Sequence, residues 1–352
     1  MANLKRMSRK GKVELPFSFI ESEILPRITG KSDVGRCRCV CKQWRSFLST
    51  PTFARMHLNR HGTINDYKLL LLDDGAQPPP RLPNPDVYSL ASLDGLVCLA
   101  PKEGRGRESR RLVFWNPLTG LHRKLAPMRL FRFCANDAVG FYKDSSNDYK
   151  LVYFVSGGSV GAYIYSHRLD SWREIQFPFA TVSRWSAATL CGQCLYFTVT
   201  WFPHWWIISF HVETETFRRI GAPPILDDKP DYYASLVMLR GCVHLCVSYH
   251  MLSRKYELSK QRELWRMDGD GDGWVKLAAL SDPLDGVFTR QHICTASFRN
   301  WVVALDHKNK SLKKVNMEDF TTRYPCFCSP MGWNLRSSRV IYVETLVSPL
   351  NP

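Results

Sequence analysis

Asp268, Asp270 and Asp272 alternate with Gly269, Gly271 and Gly273, as the first half of a calcium loop presents carboxylates around a sixth-position glycine. The twelfth position is Ala279, so the bidentate carboxylate that closes such a loop is missing, and Trp274-Val275-Lys276-Leu277 already reads as strand. A hairpin turn is the expected structure. Cys191 and Cys194 have the spacing of half a zinc site, but no second Cys or His pair stands at zinc-finger distance. Cys37, Cys39 and Cys41 cannot all face one side of a helix and suit small core or interface positions. The ten histidines form no HExxH helix, and no nucleophile elbow or phosphate-cradling Gly-rich loop is present. Gly104-Arg105-Gly106-Arg107 reads as a solvated basic turn. The chemistry expected is therefore binding: no enzyme, no metal and no cofactor.

The densest aromatic patch is Trp201, Phe202, Trp205 and Trp206, interrupted by Pro203 and His204. Aromatic residues in strands belong first to a core. On a surface they would be the candidate anchors for a bound protein.

Two kinds of element must carry these residues. Residues 1–12 are a flexible tail in which Lys5, Arg6, Arg9, Lys10 and Lys12 repel one another; it is either a nuclear-import signal or a solvated tail. From Val13 to Arg60 the pattern is helical. Ser18 and Glu21 have capping-box spacing ahead of Ile20, Ile24 and Ile28, and Pro26 should kink or end that helix. Ser32 or Asp33 should cap a second helix carrying Val34, Cys37, Cys41, Trp44 and Leu48 at spacings of three and four. Thr50-Pro51 should open a third, with Phe53 and Met56. A segment this short struggles to bury its own apolar side chains, so a partner protein is expected to receive some of them.

Beyond His61 short β-branched and aromatic runs are bounded by Gly, Asp, Asn and Pro, with a Pro-rich loop over 76–87. Turn glycines lead into apolar strands at Asp94-Gly95, Gly192 and Gly241. Hairpins alternate with them around Asn116–Gly120, His167–Asp170 and Glu213–Thr216, and less clearly within Leu264–Leu277 and Val302–Val315. Gly192 and Gly241 lie 49 apart, and Trp172, Phe217 and Trp274 lie 45 and 57 apart. With about 50 residues to a kelch-type blade, this all-β domain is expected to be a kelch-like β-propeller of about six blades; a many-stranded sandwich is the alternative.

The formal charge is +16, of which residues 1–61 hold +9, so the front end is the basic end. Such a balance suits nucleic acid, an anionic membrane or an acidic protein partner. Thr198–Phe210, the longest apolar run, is too short and too interrupted to span a bilayer, so no membrane association is expected. No apolar leader precedes the twelve cysteines, which read as reduced thiols of the nucleus or cytoplasm.

Leu15-Pro16, Ile24-Leu25, Arg36-Cys37-Arg38-Cys39-Val40-Cys41-Lys42-Gln43-Trp44-Arg45, Pro51-Thr52-Phe53-Ala54 and His57-Leu58 together resemble the F-box. Asp94-Gly95-Leu96-Val97-Cys98, Trp115-Asn116-Pro117-Leu118-Thr119-Gly120, residues 145–152, Asp170-Ser171-Trp172-Arg173 and residues 342–349 resemble the F-box-associated region of plant F-box proteins. The resemblance implies a three-helix F-box over 13–60 and an F-box-associated β domain over 61–352. It further implies docking on a Skp-family adaptor, and through it on cullin and RING subunits, with the β domain holding an unknown protein substrate for ubiquitination. Leu15, Pro16, Ile24, Leu25, Val34, Cys37, Val40 and Trp44 would then face the adaptor or the small core beneath it. Two other readings compete: a binding module with a degenerate F-box that sequesters its partner without ubiquitination, and direct nucleic-acid binding by the basic front end, the less favoured of the two.

Overall fold

The computed structural model describes residues 15–28, 31–61, 67–72, 81–84, 87–101, 111–128, 138–155, 161–179, 184–185, 188–201, 204–223, 232–239, 241–250, 260–269, 271, 273–280, 296–298, 301–306, 311–316, 322–323, 338–343 and 345–350. For 67–72 and 296–341 it describes the backbone course alone. The basic tail, most of the Pro-rich loop and the Gly104–Arg107 turn lie outside these residues. Two compact units divide the chain, Met1–Gly62 and Thr63–Pro352.

Among its described residues the first unit holds four helical elements instead of three. α1 (Phe17–Phe19) continues through a π-helical turn (Ile20–Ile24) and a 3-10 turn (Leu25–Arg27); α2 is Lys31–Cys37, α3 Lys42–Phe47 and α4 Pro51–His61. The expected capping box does not form: Pro16 precedes the first turn, and no side chain caps it. In the π turn the Leu25 N–H reaches back five residues to the Ile20 carbonyl, which turns Ile24 outward from the stripe that a regular helix would make. Pro26, which has no N–H to donate, sits in the first turn of the 3-10 segment that closes this run at Arg27, and is itself buried. The expected second helix is broken at residues 38–41, where Cys41 turns extended and its sulfur accepts the Trp44 N–H at 3.4 Å, restarting the chain as α3. Ser32 and Asp33 lie inside α2 and do not precede it. Thr50 does cap α4, its Oγ1 accepting the Phe53 N–H at 3.1 Å. Leu25, Val34, Leu48 and Phe53 form the core, and a His57 ring nitrogen meets the Ile28 carbonyl at 2.9 Å.

Among its described residues the second unit contains twenty-three strands in six antiparallel sheets. Four-stranded meanders are β2–β5 (Val87–Leu93, Leu96–Pro101, Val113–Trp115, His122–Lys124), β6–β9 (Ala138–Lys143, Tyr149–Val155, Gly161–Ser166, Ser171–Ile175), β15–β18 (Tyr232–Leu239, Cys242–His250, Lys260–Asp268, Gly273–Leu280) and β19–β22 (Ala296–Phe298, Trp301–Asp306, Ser311–Asn316, Thr322–Arg323). A fifth is the same meander with its first strand split: β10 (Arg184–Trp185) and β11 (Thr189–Cys191) both pair β12 (Cys194–Trp201), followed by β13 (His204–His211) and β14 (Phe217–Ile220). The sixth sheet joins the ends of the unit, β1 (Tyr67–Leu72) running antiparallel to β23 (Ser338–Val343) beside β2.

Neighbouring meanders touch through their first strands, β2 with β6, β6 with β11, β11 and β12 with β15, and β15 with β19. β3 and β7 are nearly continuous runs of buried residues, the pattern of strands covered on both faces, whereas the outer strands β5 and β9 contain no buried residue. Phe154, Ile164, Phe197 and Phe210 fill the space between the second and third meanders, and Ile207, Ile220, Leu236 and Leu245 that between the third and fourth.

All five expected hairpins are present: β4–β5, β8–β9, β13–β14, β17–β18 and β20–β21. Gly95, Gly192 and Gly241 sit in turns at φ of 82°, 57° and 75°, a conformation that favours glycine. Trp172, Phe217 and Trp274 begin equivalent outer strands, and the repeat extends to their bonding. Trp172 Nε1 donates to the Ala126 carbonyl at 2.8 Å and Trp274 Nε1 to the Gly221 carbonyl at 2.7 Å, each acceptor lying just after an earlier meander's outer strand.

Candidate functional site

Two surfaces have the properties of binding sites, one in each unit. On the helical unit, Leu15 (51% exposed), Phe19 (47%), Ile24 (36%) and Val40 (62%) leave large apolar side chains in water. Of the residues proposed for docking, these include Leu15, Ile24 and Val40, and Pro16 is exposed beside them. Leu25 and Val34 are fully buried, while Cys37 and Trp44 are half-buried. Phe19 was not expected there. Its sequence signal was hidden because the α-helical period predicts faces four apart, and the π turn changes the period between Phe19 and Ile24.

The aromatic patch divides. Trp201 pairs with His204 between β12 and β13, and Trp206 is half-buried against the core between the second and third meanders, with the Arg219 guanidinium 4.6 Å from its ring centre. Phe202 and the side chains of Trp201 and Trp205 lie outside the described residues. Asp268 pairs with Gly273 across the β17–β18 turn, the hairpin expected in place of a calcium loop; Asp270 and Asp272 lie outside the described residues. Cys191 and Cys194 pair across the Gly192-Gln193 turn, and Cys191 Sγ points to the Gly241 carbonyl at 3.1 Å. Among the described residues no group of three or more His, Cys, Asp or Glu could hold a metal ion, and no helix is long and apolar enough to cross a membrane.

The second surface is built by turns. Asp94, Asn147, Asp170 and Glu215 all adopt positive φ, which the short side chains of Asp and Asn tolerate better than most. Three of them stitch neighbouring strands or sheets. Asp94 in the β2–β3 turn accepts the Tyr149 hydroxyl at 2.9 Å and pairs with Lys143. Asp170 in the β8–β9 turn accepts the Tyr165 hydroxyl at 2.6 Å and the Ala126 N–H at 3.0 Å. Beyond β13, Glu213 accepts both the N–H and the hydroxyl of Ser145, at 2.6 and 2.9 Å, while Glu215 pairs with Arg173.

These contacts bring the β6–β7, β8–β9 and β13–β14 turns to one rim, and a cleft of about 280 Å³ opens there in the second meander. Its polar lining includes Asp144, Asp148, Lys150, Arg168 and Arg173, with Leu169, 74% exposed, at its mouth. Asp148 is buried and fully engaged: Oδ2 accepts Ser166 Oγ at 2.5 Å and Oδ1 the Arg168 N–H at 2.9 Å.

Burial raises the Asp144 pKa, but hydrogen bonds from Lys150, Ser146 and the Asp148 N–H outweigh it and hold the carboxyl down from 3.8 to about 2. A depressed folded-state value means that the ionised carboxylate stabilises the fold above the unfolded value and that this stabilisation disappears as pH falls toward 2. Denaturant titrations between pH 5 and 2 should therefore show a loss of stability over that window that is smaller in Asp144→Asn. An unchanged slope would remove Asp144 from the rim network.

A helical unit with exposed apolar side chains is followed by a β unit of repeated antiparallel meanders with a cleft at the rim of the second. Residues 53–348 match the F-box associated beta propeller domain, and the chain belongs to that family. Its relatives are F-box proteins of Arabidopsis thaliana. A putative F-box only protein 15 is 28% identical over 248 residues, 64% of this chain and 62% of that protein. An F-box/LRR-repeat/kelch-repeat protein is 25% identical over 228 residues, 62% of this chain and 63% of that one. The chain thus spans less than two thirds of these two relatives, whereas an F-box/kelch-repeat protein is 26% identical over 378 residues, 95% of this chain and 96% of that one. Among solved structures, TolB from Acinetobacter baumannii is similar at a TM-score of 0.42 and 12% identity, covering 76% of this chain and 60% of that one, a level that establishes no common topology.

Proposed function

We propose that this protein is the substrate-recognition subunit of a Skp-cullin-F-box ubiquitin ligase. Its helical unit docks on a Skp-family adaptor, which links it to cullin and RING subunits, and its β unit holds a protein substrate. The chain performs no chemistry of its own: it brings an acceptor lysine to the ligase's ubiquitin donor, raising the effective concentration of the reacting groups. The observation that carries this reading is the exposure of Leu15, Phe19, Ile24 and Val40 on a unit too small to bury them, in a chain whose relatives are F-box proteins. The β unit is read as a kelch-like propeller of six blades, five meanders and the β1–β23 sheet, supported by the family match and by the first-strand contacts between successive meanders. The nucleus and cytoplasm are the compartments proposed for it.

Co-expression with a Skp-family adaptor should yield a complex, and Leu15→Asp combined with Val40→Asp should reduce adaptor capture about thirtyfold or more, as expected for central apolar anchors. Leu25→Ala, a core change, serves as the contrast: it should lower helical content, whereas the double variant should keep it. If the intact chain folds and captures no adaptor, the protein sequesters its partner without ubiquitination and the ligase reading fails.

A further inference from the structure

We infer that the rim cleft of the second meander is the recognition site for an acidic segment of the protein partner, an Asp or Glu side chain next to an apolar residue. This rests on the reading of the β unit as a substrate receptor and gives that site its chemistry.

The argument is one of unused hydrogen-bonding capacity. The acceptors of the cleft are already engaged. Asp148 uses both oxygens on Ser166 and Arg168; Asp144 gives Oδ1 to the Ser146 hydroxyl and the Asp148 N–H, at 2.7 and 3.0 Å, and Oδ2 to Lys150 at 2.9 Å. The donors are not. Among the described residues, the Arg168 guanidinium donates through one nitrogen, to the Ser146 carbonyl at 2.8 Å, and that of Arg173 through one, to Glu215. A guanidinium carries five N–H donors in a planar fork suited to a carboxylate. Both arginines are exposed at the cleft, and although Arg173 is already paired with Glu215, each guanidinium keeps N–H donors unused among the described residues.

Leu169 supplies the apolar half. It stands 74% exposed beside Arg168 at the tip of the β8–β9 turn, which Asp148 and Asp170 hold rigid from both sides. A volume of about 280 Å³ lies at the lower edge of small-molecule sites and suits one or two side chains of a longer ligand. The +16 charge of the whole chain favours encounter with such a partner.

The test is fluorescence polarisation with full-length protein and labelled decapeptides carrying Asp-Leu-Glu, Asn-Leu-Gln, Lys-Leu-Lys or phosphoserine-Leu-Gln at the centre. The Asp-Leu-Glu probe should bind, more weakly as salt rises, and the Asn-Leu-Gln and Lys-Leu-Lys probes should not. Arg168→Glu and Arg173→Glu should each weaken it by about tenfold or more, Arg168→Gln by less, and Leu169→Ser by a few-fold. Arg266→Glu, a charge reversal at an exposed position of β17, should leave binding unchanged; equal loss there would mean attraction to net charge and overturn the site. Equal binding of the neutral probe, binding of the phosphoserine probe alone, or no binding by the acidic probe would also overturn it. Thermal melts of each variant separate lost binding from lost folding. Adaptor capture is measured on the same preparations, so failure here with capture intact removes the acidic-segment site and leaves the receptor reading in place.

Discussion

Replacing Asn116 by Ala is expected to destabilise the β unit by about 3–5 kcal/mol, because one side chain satisfies four backbone groups there. Its Nδ2 donates to the Thr345 and Val347 carbonyls at 2.9 and 2.7 Å, and its Oδ1 accepts the Leu118 and Thr119 N–H groups at 2.8 and 3.1 Å. Asn116, Thr345 and Val347 are buried, so water cannot replace the lost partners without opening the structure. The bonds span more than 220 residues of chain and tie the β4–β5 turn to the C-terminal segment, which Thr345 anchors a second time by donating to the Asp94 carbonyl at 2.6 Å. Asn116→Asp keeps the acceptor and sets a carboxylate against two carbonyls, so it should be no milder. Denaturant midpoints on the full chain decide the matter, and a loss below about 1 kcal/mol for Asn116→Ala would mean that the segment is held otherwise.

Phe154→Ala should cost a similar amount, about 3–5 kcal/mol, from lost burial and the cavity left behind. The ring is fully buried and stacked on Trp185 at 4.2 Å, with Phe197, Phe177 and Phe217 at 5.0, 5.7 and 5.9 Å. These five aromatic residues come from five different strands or loops of the second and third meanders, so the cavity opens at the seam between two sheets. Leu169→Ala, a comparable deletion of apolar volume at an exposed turn, should stay within about 0.5 kcal/mol. Phe154→Leu should recover most of the loss by refilling the seam. If Phe154→Ala and Leu169→Ala shift the midpoint equally, the seam is not the core of the unit.

The strands were legible because their signals are local. A turn glycine before an apolar run, as at Gly95, Gly192 and Gly241, and an aromatic residue opening an outer strand, as at Trp172 and Trp274, each act within a few residues. Helix boundaries were less legible: the capping box at Ser18 and Glu21 and a continuous helix through Cys41 both satisfy local spacing, yet packing of Leu25, Pro26 and Val34 into one small core selects the π turn and the break instead. The docking candidates could be named from the chain but not divided into exposed and buried.

The amino-acid sequence by itself determined the two kinds of element, the absence of any recognisable catalytic or metal motif, the hairpins and the approximate repeat, since each depends on residue type and short spacing. Only the tertiary structure decided which of the docking candidates face water, that Asn116 clamps the C-terminal segment, and that turns from successive meanders meet on one rim. These are contacts between residues tens to hundreds of positions apart. No local pattern records them, because the free energy that selects them arises only when distant faces are buried together.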